Sequence, residues 1–126
     1  MIEEITLPDI SNDEFLYRGI IESFWDYEND RPSSAIYKDS KGVSVDREYH
    51  REEKVCIDNL LDVKPFFSIC KIKKEKVLIC NAITKYLPTE DNIYHSEIHD
   101  SEESIKIRGG KAKKLRDASH IVYKIF

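Results

Sequence analysis

Arg18 is a candidate anion-binding residue because it interrupts the apolar run Phe15–Ile20 and is followed by glycine. A guanidinium in such a run must be paired if it is buried, or else it faces a cleft. In a cleft, its planar fork would bind a phosphate or carboxylate with two parallel hydrogen bonds. Two interpretations stay open, an internal salt bridge and a ligand contact.

Residues 31–47, RPSSAIYKDSKGVSVDR, contain further anion-binding candidates. We predict that Arg31, Ser33, Ser34 and Arg47 contact a ligand through guanidinium groups, hydroxyls and backbone amides. The alternative for the two serines is turn chemistry, because serine hydroxyls often bond to the nearby backbone.

Candidate catalytic residues are Ser44, Asp46 and His95. Ser44 and Asp46 are two residues apart, so in a strand their side chains lie on one face. No base adjoins Ser44 in the sequence, which leaves a nucleophilic serine unsupported. His95 is predicted to act as an acid or base, the role for which imidazole is suited near neutral pH.

His95, Glu97 and His99 would share one face of a strand, and two histidines with a carboxylate can hold a metal ion. The spacing alone is weak evidence, and the surrounding segment is acidic. We therefore predict neither a metal nor a cofactor. The sequence also lacks a Walker loop, a GxGxxG motif, an HExxH motif and a nucleophile elbow, which excludes the most easily recognised enzyme classes.

Length and composition predict one cytoplasmic domain spanning residues 1–126. The chain has 126 residues, a net charge of −4 and three cysteines without a CxxC motif. Reduced, buried thiols are expected, although a disulfide between Cys70 and Cys80 stays open. No signal peptide or membrane-spanning run is visible.

Charge patterning predicts two possible interaction surfaces. An acidic segment, residues 90–103, precedes a basic one, residues 106–116. They are either solvated faces or docking surfaces for a protein partner or a second copy of the chain. The negative total charge argues against a nucleic-acid partner.

Sequence patterns predict an α+β fold with a mostly antiparallel sheet and two or three helices. Residues 11–14 resemble a capping box, and residues 15–27 fit a strand or a helix equally. Residues 1–10 fit a short strand or an irregular arm. Strands are predicted over 34–38, 43–46, 66–72, 77–84, 93–99, 105–107 and 120–126, and helices over 47–61 and 111–119.

The order of several motifs resembles a family of small, uncharacterised bacterial proteins. The segments are LYRGI (16–20), RPSSAIYK (31–38), GVSVDR (42–47), DNIYHSEI (91–98) and GKAKKLRDASHIVY (110–123). The family motifs have the forms LxRxI, RPSSAAFK, LSVD and NPAHA, and this chain departs from them at residues 36–37 and 93–94. The resemblance implies that polar residues from separated segments meet in one cleft; they are Arg18, Arg31, Ser33, Ser34, Ser44, Asp46 and His95.

A second resemblance is to ADP-ribosyltransferase-type folds, some of which begin with an LYRG-like strand. It implies that Arg18 holds the phosphates of NAD and that Ser44 lies on a serine-bearing strand. A glutamate is also required, and Glu48 and Glu97 are both candidates.

Three functions follow from these observations. The first is a domain whose polar cleft binds a phosphate-bearing or nucleotide-like ligand, with or without turnover. The second is a non-catalytic protein-binding module or a self-associating scaffold. The third is an ADP-ribosyltransferase-like activity.

Overall fold

A six-stranded antiparallel sheet forms the centre of the structure, a computed structural model that describes residues 6–125. The strands of this sheet lie in the order β6-β7-β4-β1-β5-β8. A separate hairpin pairs β2 with β3. The strands are β1 (Phe15–Ile20), β2 (Trp25–Asp26), β3 (Arg31–Pro32), β4 (Val43–Arg47), β5 (Ser68–Lys73), β6 (Ile83–Tyr86), β7 (His95–His99) and β8 (His120–Lys124).

Three α-helices and two short 3₁₀ turns complete the described chain. The helices are α1 (Glu53–Val63), α2 (Lys74–Ile79) and α3 (Lys111–Asp117), and the 3₁₀ turns are Glu22–Phe24 and Ser34–Tyr37. One domain with an antiparallel sheet and three helices confirms the predicted α+β class. No helix within residues 6–125 has the length and apolar character needed to cross a membrane.

The two faces of the sheet bury different hydrophobic clusters because side chains alternate along each strand. On the α3 face, Leu16 and Ile20 of β1 pack with residues that include Leu115 of α3. On the α1 face, Tyr17 and Ile69 pack against Cys56 and Leu60 of α1. Fully burying one such aliphatic side chain stabilises the fold by about 1.5–3 kcal/mol, so these clusters hold the helices on the sheet.

The strand predicted over residues 77–84 is wrong. Residues Lys74–Ile79 form helix α2 directly after β5, and only Ile83 and Thr84 of the predicted range belong to a strand. The first turn of α2 is held by its surroundings, since Lys74 N donates to the Glu14 carbonyl. Asn81 then adopts a left-handed φ of 64° and turns the chain into β6.

Other predicted elements also differ from the structure. The segment 34–38 is a 3₁₀ turn instead of a strand, and residues 105–107 have no regular structure. The helix predicted from residue 47 begins at Glu53, because Tyr49 and His50 have positive φ values that a helix cannot contain. Residues 1–5 and 126 lie outside the described residues.

The strand predictions near the centre of the sheet are confirmed with small shifts at their ends. The ranges 43–46, 66–72, 93–99 and 120–126 correspond to β4, β5, β7 and β8. The helix predicted over 111–119 corresponds to α3, and the ambiguous segment 15–27 begins with β1.

All three cysteines are free and buried, and we expect their thiols to react slowly in the native protein. Burial raises the pKa of both Cys56 and Cys70 to about 11, so little thiolate forms at mildly alkaline pH. Their neutral forms therefore stabilise the fold below the unfolded thiol pKa of about 8.5, and this contribution is lost as the pH rises towards about 11.

Two measurements check this expectation. A thiol reagent such as DTNB should label the native protein slowly. In concentrated guanidinium chloride, where the protein is unfolded, it should label all three cysteines quickly. Urea unfolding should show stability falling as the pH rises from about 8.5 towards about 11. Fast stoichiometric labelling of the native protein would contradict the observed burial.

Candidate functional site

The pairing of β4 with β7 brings predicted catalytic residues together on the α1 face of the sheet. Asp46 lies opposite His95, and Ser44 lies opposite Glu97. Side chains directly opposite in an antiparallel pair have Cβ atoms about 4.5–5.5 Å apart. Ser44, Asp46, His95, Glu97 and His99 therefore form one continuous surface, which we call the polar face.

Glu97 is the central carboxylate of the polar face. Its Oε1 lies 2.8 Å from His99 Nε2, and its Oε2 lies 3.6 Å from His95 Nε2. The Glu97 side chain keeps 19% of its surface exposed, so it is held in place and still reachable from solvent. Within residues 6–125, no group of three His, Cys, Asp or Glu side chains is arranged to hold a metal ion.

Gly42 leaves the space that the Glu97 carboxylate occupies. A Cβ atom built on Gly42 would overlap Glu97 Oε1 and lie 2.8 Å from Glu97 Cδ, and the φ of Gly42 is +110°. Both facts favour glycine, because a side chain is disfavoured at this φ and would collide with the carboxyl group. The turn before β4 thus helps to place Glu97.

We expect the substitution Gly42→Ala to destabilise the protein by about 1–3 kcal/mol, the usual cost of a strained backbone position. It should also displace the Glu97 carboxylate and weaken any activity that depends on it. Urea unfolding measures the first effect. Gly110→Ala is the control, since its added methyl group would meet no atom within 4 Å. Equal stability of Gly42→Ala and the original protein would contradict the close approach.

Arg18 is half-buried and bonds to main-chain carbonyls. Its Nε donates to Ile36 O at 3.0 Å, and its Nη1 donates to Ser44 O at 2.9 Å. In residues 6–125, no carboxylate forms an ion pair with Arg18, so the predicted internal salt bridge has no counterpart there. Desolvation lowers the pKa of Arg18, and the nearby Tyr37, Cys70 and Asp39 oppose this shift.

Arg18, Ser44 and Glu97 lie on three neighbouring strands. The ladder between β1 and β4 ends at the Tyr17–Asp46 pair, so the Ser44 carbonyl lies beyond it. Arg18 Nη1 donates to the Ser44 carbonyl in place of a backbone N–H from β1. Ser44 faces Glu97 across β4 and β7 on the α1 face. Arg18 alternates with Tyr17, so its side chain lies on the opposite, α3 face with Leu16 and Ile20. A ligand that contacts Arg18 as well as Glu97 must therefore enter the gap where β1 and β4 separate.

Ser33 and Ser34 lie apart from the polar face, in the 3₁₀ turn whose Ile36 carbonyl accepts from Arg18. Ser33 begins the second 3₁₀ turn, and its Oγ accepts a hydrogen bond from Ala35 N at 3.3 Å. This contact matches the turn-chemistry alternative. Ser34 follows in the same turn, whose Ile36 and Tyr37 pack in the α3-face cluster. The sheet therefore separates these serines from the polar face.

Arg47, also predicted to bind a ligand, is completely buried. Its Nε lies 2.8 Å from Glu14 Oε2, and its Nη2 lies 2.9 Å from Glu14 Oε1. The rings of Tyr49 and Tyr86 lie 5.1 Å and 4.7 Å from the guanidinium carbon. These contacts occupy the guanidinium inside the protein, so Arg47 is left out of the candidate site.

Two polar residues near the site were missed in the sequence. Asn92 donates to Asp46 Oδ1 at 2.9 Å and thereby orients the carboxylate opposite His95. Arg51 stacks on the Tyr94 ring at 3.5 Å. Burial raises the pKa of Cys56; the positive charge of Arg51 opposes this increase, and the negative charge of Asp46 adds to it. Neither residue has a spacing that marks it, because both come from turns whose path only the fold determines.

Comparisons with known proteins add no information on function: no protein-family model, curated protein or solved structure gives a significant match to this chain. The two resemblances of motif described above stay predictions. The arrangement of Arg18, Ser44 and Glu97 is therefore the main basis for a functional proposal.

Proposed function

We propose that this domain binds an NAD-like dinucleotide where β1, β4 and β7 meet and transfers its ADP-ribosyl part to an acceptor. One observation carries the proposal. Ser44 lies opposite Glu97 in neighbouring strands while Arg18 donates to the Ser44 carbonyl. An arginine, a serine and a glutamate are the three parts that the resemblance to ADP-ribosyltransferase-type folds requires.

Arg18 is suited to hold the phosphates of the dinucleotide. Two of its nitrogen atoms bond to carbonyls, which fixes the guanidinium plane and leaves its net charge without a carboxylate partner in residues 6–125. An anion next to a partly desolvated guanidinium forms strong, charge-assisted hydrogen bonds. The phosphate oxygens would add a direct anionic partner to the more distant negative charge of Asp39.

Glu97 is suited to stabilise the charge that develops on the ribose. Nicotinamide is positively charged in NAD, so breaking its bond to ribose sends the electron pair to the ring nitrogen and releases neutral nicotinamide. The ribose carbon then becomes positive, as in glycoside hydrolysis, where carboxylates stabilise such a transition state. A carboxylate that is already oriented supplies this stabilisation without reorganising.

The acceptor must lose a proton when it bonds to the ribose carbon. His95 is placed to take that proton, because it lies on the polar face two residues from Glu97 and keeps 22% of its side-chain surface exposed. Asp46 lies opposite His95 and is oriented by Asn92.

A thermal-shift measurement with NAD, ADP-ribose and nicotinamide tests binding. A ligand at 100 times its dissociation constant adds about 2.7 kcal/mol to stability, so NAD and ADP-ribose should raise the midpoint. Arg18→Lys should abolish most of the shift, because lysine lacks the planar fork. Arg108→Lys is the matched control, since Arg108 is exposed in another loop.

The opposite result would favour another function. If neither NAD nor ADP-ribose shifts the midpoint and Arg18→Lys only lowers stability, Arg18 serves the fold alone. The non-catalytic, self-associating alternative would then be tested by sedimentation at several protein concentrations.

A further inference from the structure

A second cationic site lies between the β2–β3 hairpin and helix α3. Arg31 of β3 and Arg116 of α3 line one cavity of about 200 Å³, together with Pro32, Asp117, Ser119 and Ile121. We propose that this cavity, the Arg31–Arg116 cleft, binds a phosphate group. The proposal is independent of the function proposed for Glu97, because none of the polar-face residues lines the cleft.

Arg31 provides a positive charge that no carboxylate in residues 6–125 pairs with. It is exposed on the hairpin and forms no ion pair among these residues. Asp26 lies opposite Arg31 in the hairpin. Hydrogen bonds from Asn29 lower the pKa of Asp26 most, and the Arg31 charge lowers it further without an ion pair between the two within residues 6–125. Because Arg31 is exposed, an external anion can compete for its guanidinium.

Arg116 provides a second guanidinium, most of which is buried. Only 9% of its side-chain surface is exposed. Its Nε donates to Asp117 Oδ1 at 3.0 Å, and its Nη2 lies 2.9 Å from the same oxygen without making a hydrogen bond. Nη2 is thus ion-paired with Asp117 but lacks a hydrogen-bond acceptor among residues 6–125. Buried donors normally have an acceptor, and a phosphate oxygen that displaces the Asp117 carboxylate would supply one.

The remaining walls of the cleft define the ligand class. Pro32 and Ile121 are apolar, and the Ser119 hydroxyl is already occupied by Leu115 O at 2.8 Å and Tyr37 Oη at 2.6 Å. Recognition therefore depends on the two guanidinium groups, whose geometry matches the oxygens of phosphate. Since one water occupies about 30 Å³ in the liquid, the cavity has room for a phosphate group with some of its water.

Asp117 supplies a sharp test because it competes with the ligand. Its carboxylate is 54% exposed and shares one oxygen with two nitrogens of Arg116. Asp117→Asn removes the competing charge, so phosphate should bind several-fold more tightly. Arg31→Ala and Arg116→Gln should bind it about 10–100-fold more weakly, as expected for losing a charge-assisted hydrogen bond. Misfolding cannot produce both directions of change.

The experiment is calorimetric titration of the whole chain with inorganic phosphate at constant ionic strength. We expect one saturable site, with the changes above and no change in Lys113→Ala, an exposed lysine on the same helix outside the cleft. Arg31→Ala alters an exposed residue, so it keeps the test valid if Arg116→Gln fails to fold. The proposal would be overturned if Arg31→Ala and Asp117→Asn bound phosphate with the same affinity as the original protein. It would also be overturned if the original protein did not bind phosphate.

AMP and adenosine separate the possible sources of the phosphate group. Tighter binding of AMP than of inorganic phosphate, with no binding of adenosine, would assign the cleft to nucleotide phosphates. Equal binding of AMP and phosphate would assign it to free phosphate. In either case binding should persist in Arg18→Lys and be weakened about 10–100-fold in Arg116→Gln. Loss in Arg18→Lys alone would overturn the proposal, because the anion would then occupy the β1–β4–β7 site.

Discussion

Replacing Glu97 with glutamine is expected to lower the rate of nicotinamide release from NAD on the order of 10²–10³-fold, the usual cost of removing one preorganised transition-state contact. The dissociation constant for NAD should change little, because the negative charge matters most when the ribose becomes positive. The polar face should stay folded. In the original protein Glu97 Oε1 lies 2.8 Å from His99 Nε2, and the amide oxygen of glutamine can make the same contact. Chromatographic measurement of released nicotinamide checks the rate.

The matched control is Glu90→Gln, which changes an exposed glutamate in the loop before β7. It should leave the rate unchanged. If Glu97→Gln cleaves NAD as fast as the original protein, Glu97 has no role in the reaction. If the original protein and Glu97→Gln both bind NAD and neither cleaves it, the site is a nucleotide-binding site without transferase activity.

Replacing Arg47 with alanine is expected to destabilise the protein by about 3–5 kcal/mol, the cost of removing one partner from a buried ion pair. Glu14 is only 6% exposed and would lose its counter-ion. Within residues 6–125, its carboxylate would retain the hydrogen bond from Tyr49 N at 2.9 Å. Urea unfolding monitored by circular dichroism measures the loss.

Two further variants separate the charge from the packing. The double substitution Glu14→Leu with Arg47→Met should recover much of the lost stability, because a buried pair can be replaced by apolar side chains. Arg108→Ala, at an exposed position, should stay within about 0.5 kcal/mol of the original protein. If Arg47→Ala kept its stability and lost affinity for NAD, Arg47 would be the ligand-binding residue predicted from the sequence.

Strand β4 was predictable from its sequence because alternation and β-branched residues coincide over several residues. In β4, Val43 and Val45 alternate with polar residues, and the structure places the two valines in the α3-face cluster. Residues 77–80 lack such alternation, and an apolar run of this length does not distinguish a strand from a short helix. Contacts with the segment before β1 hold the start of α2, and sequence spacing contains no trace of them.

The candidate site was only partly predictable for the same reason. The sequence by itself determined the α+β class, the polar residue types and the sharing of one face by Ser44 and Asp46. Only the tertiary structure decided that Glu97, instead of Glu48, lies opposite Ser44 and that Arg47 is buried against Glu14. Local periodicity determines which face a side chain occupies, but the pairing of distant strands determines its neighbours. That pairing depends on how the whole core packs.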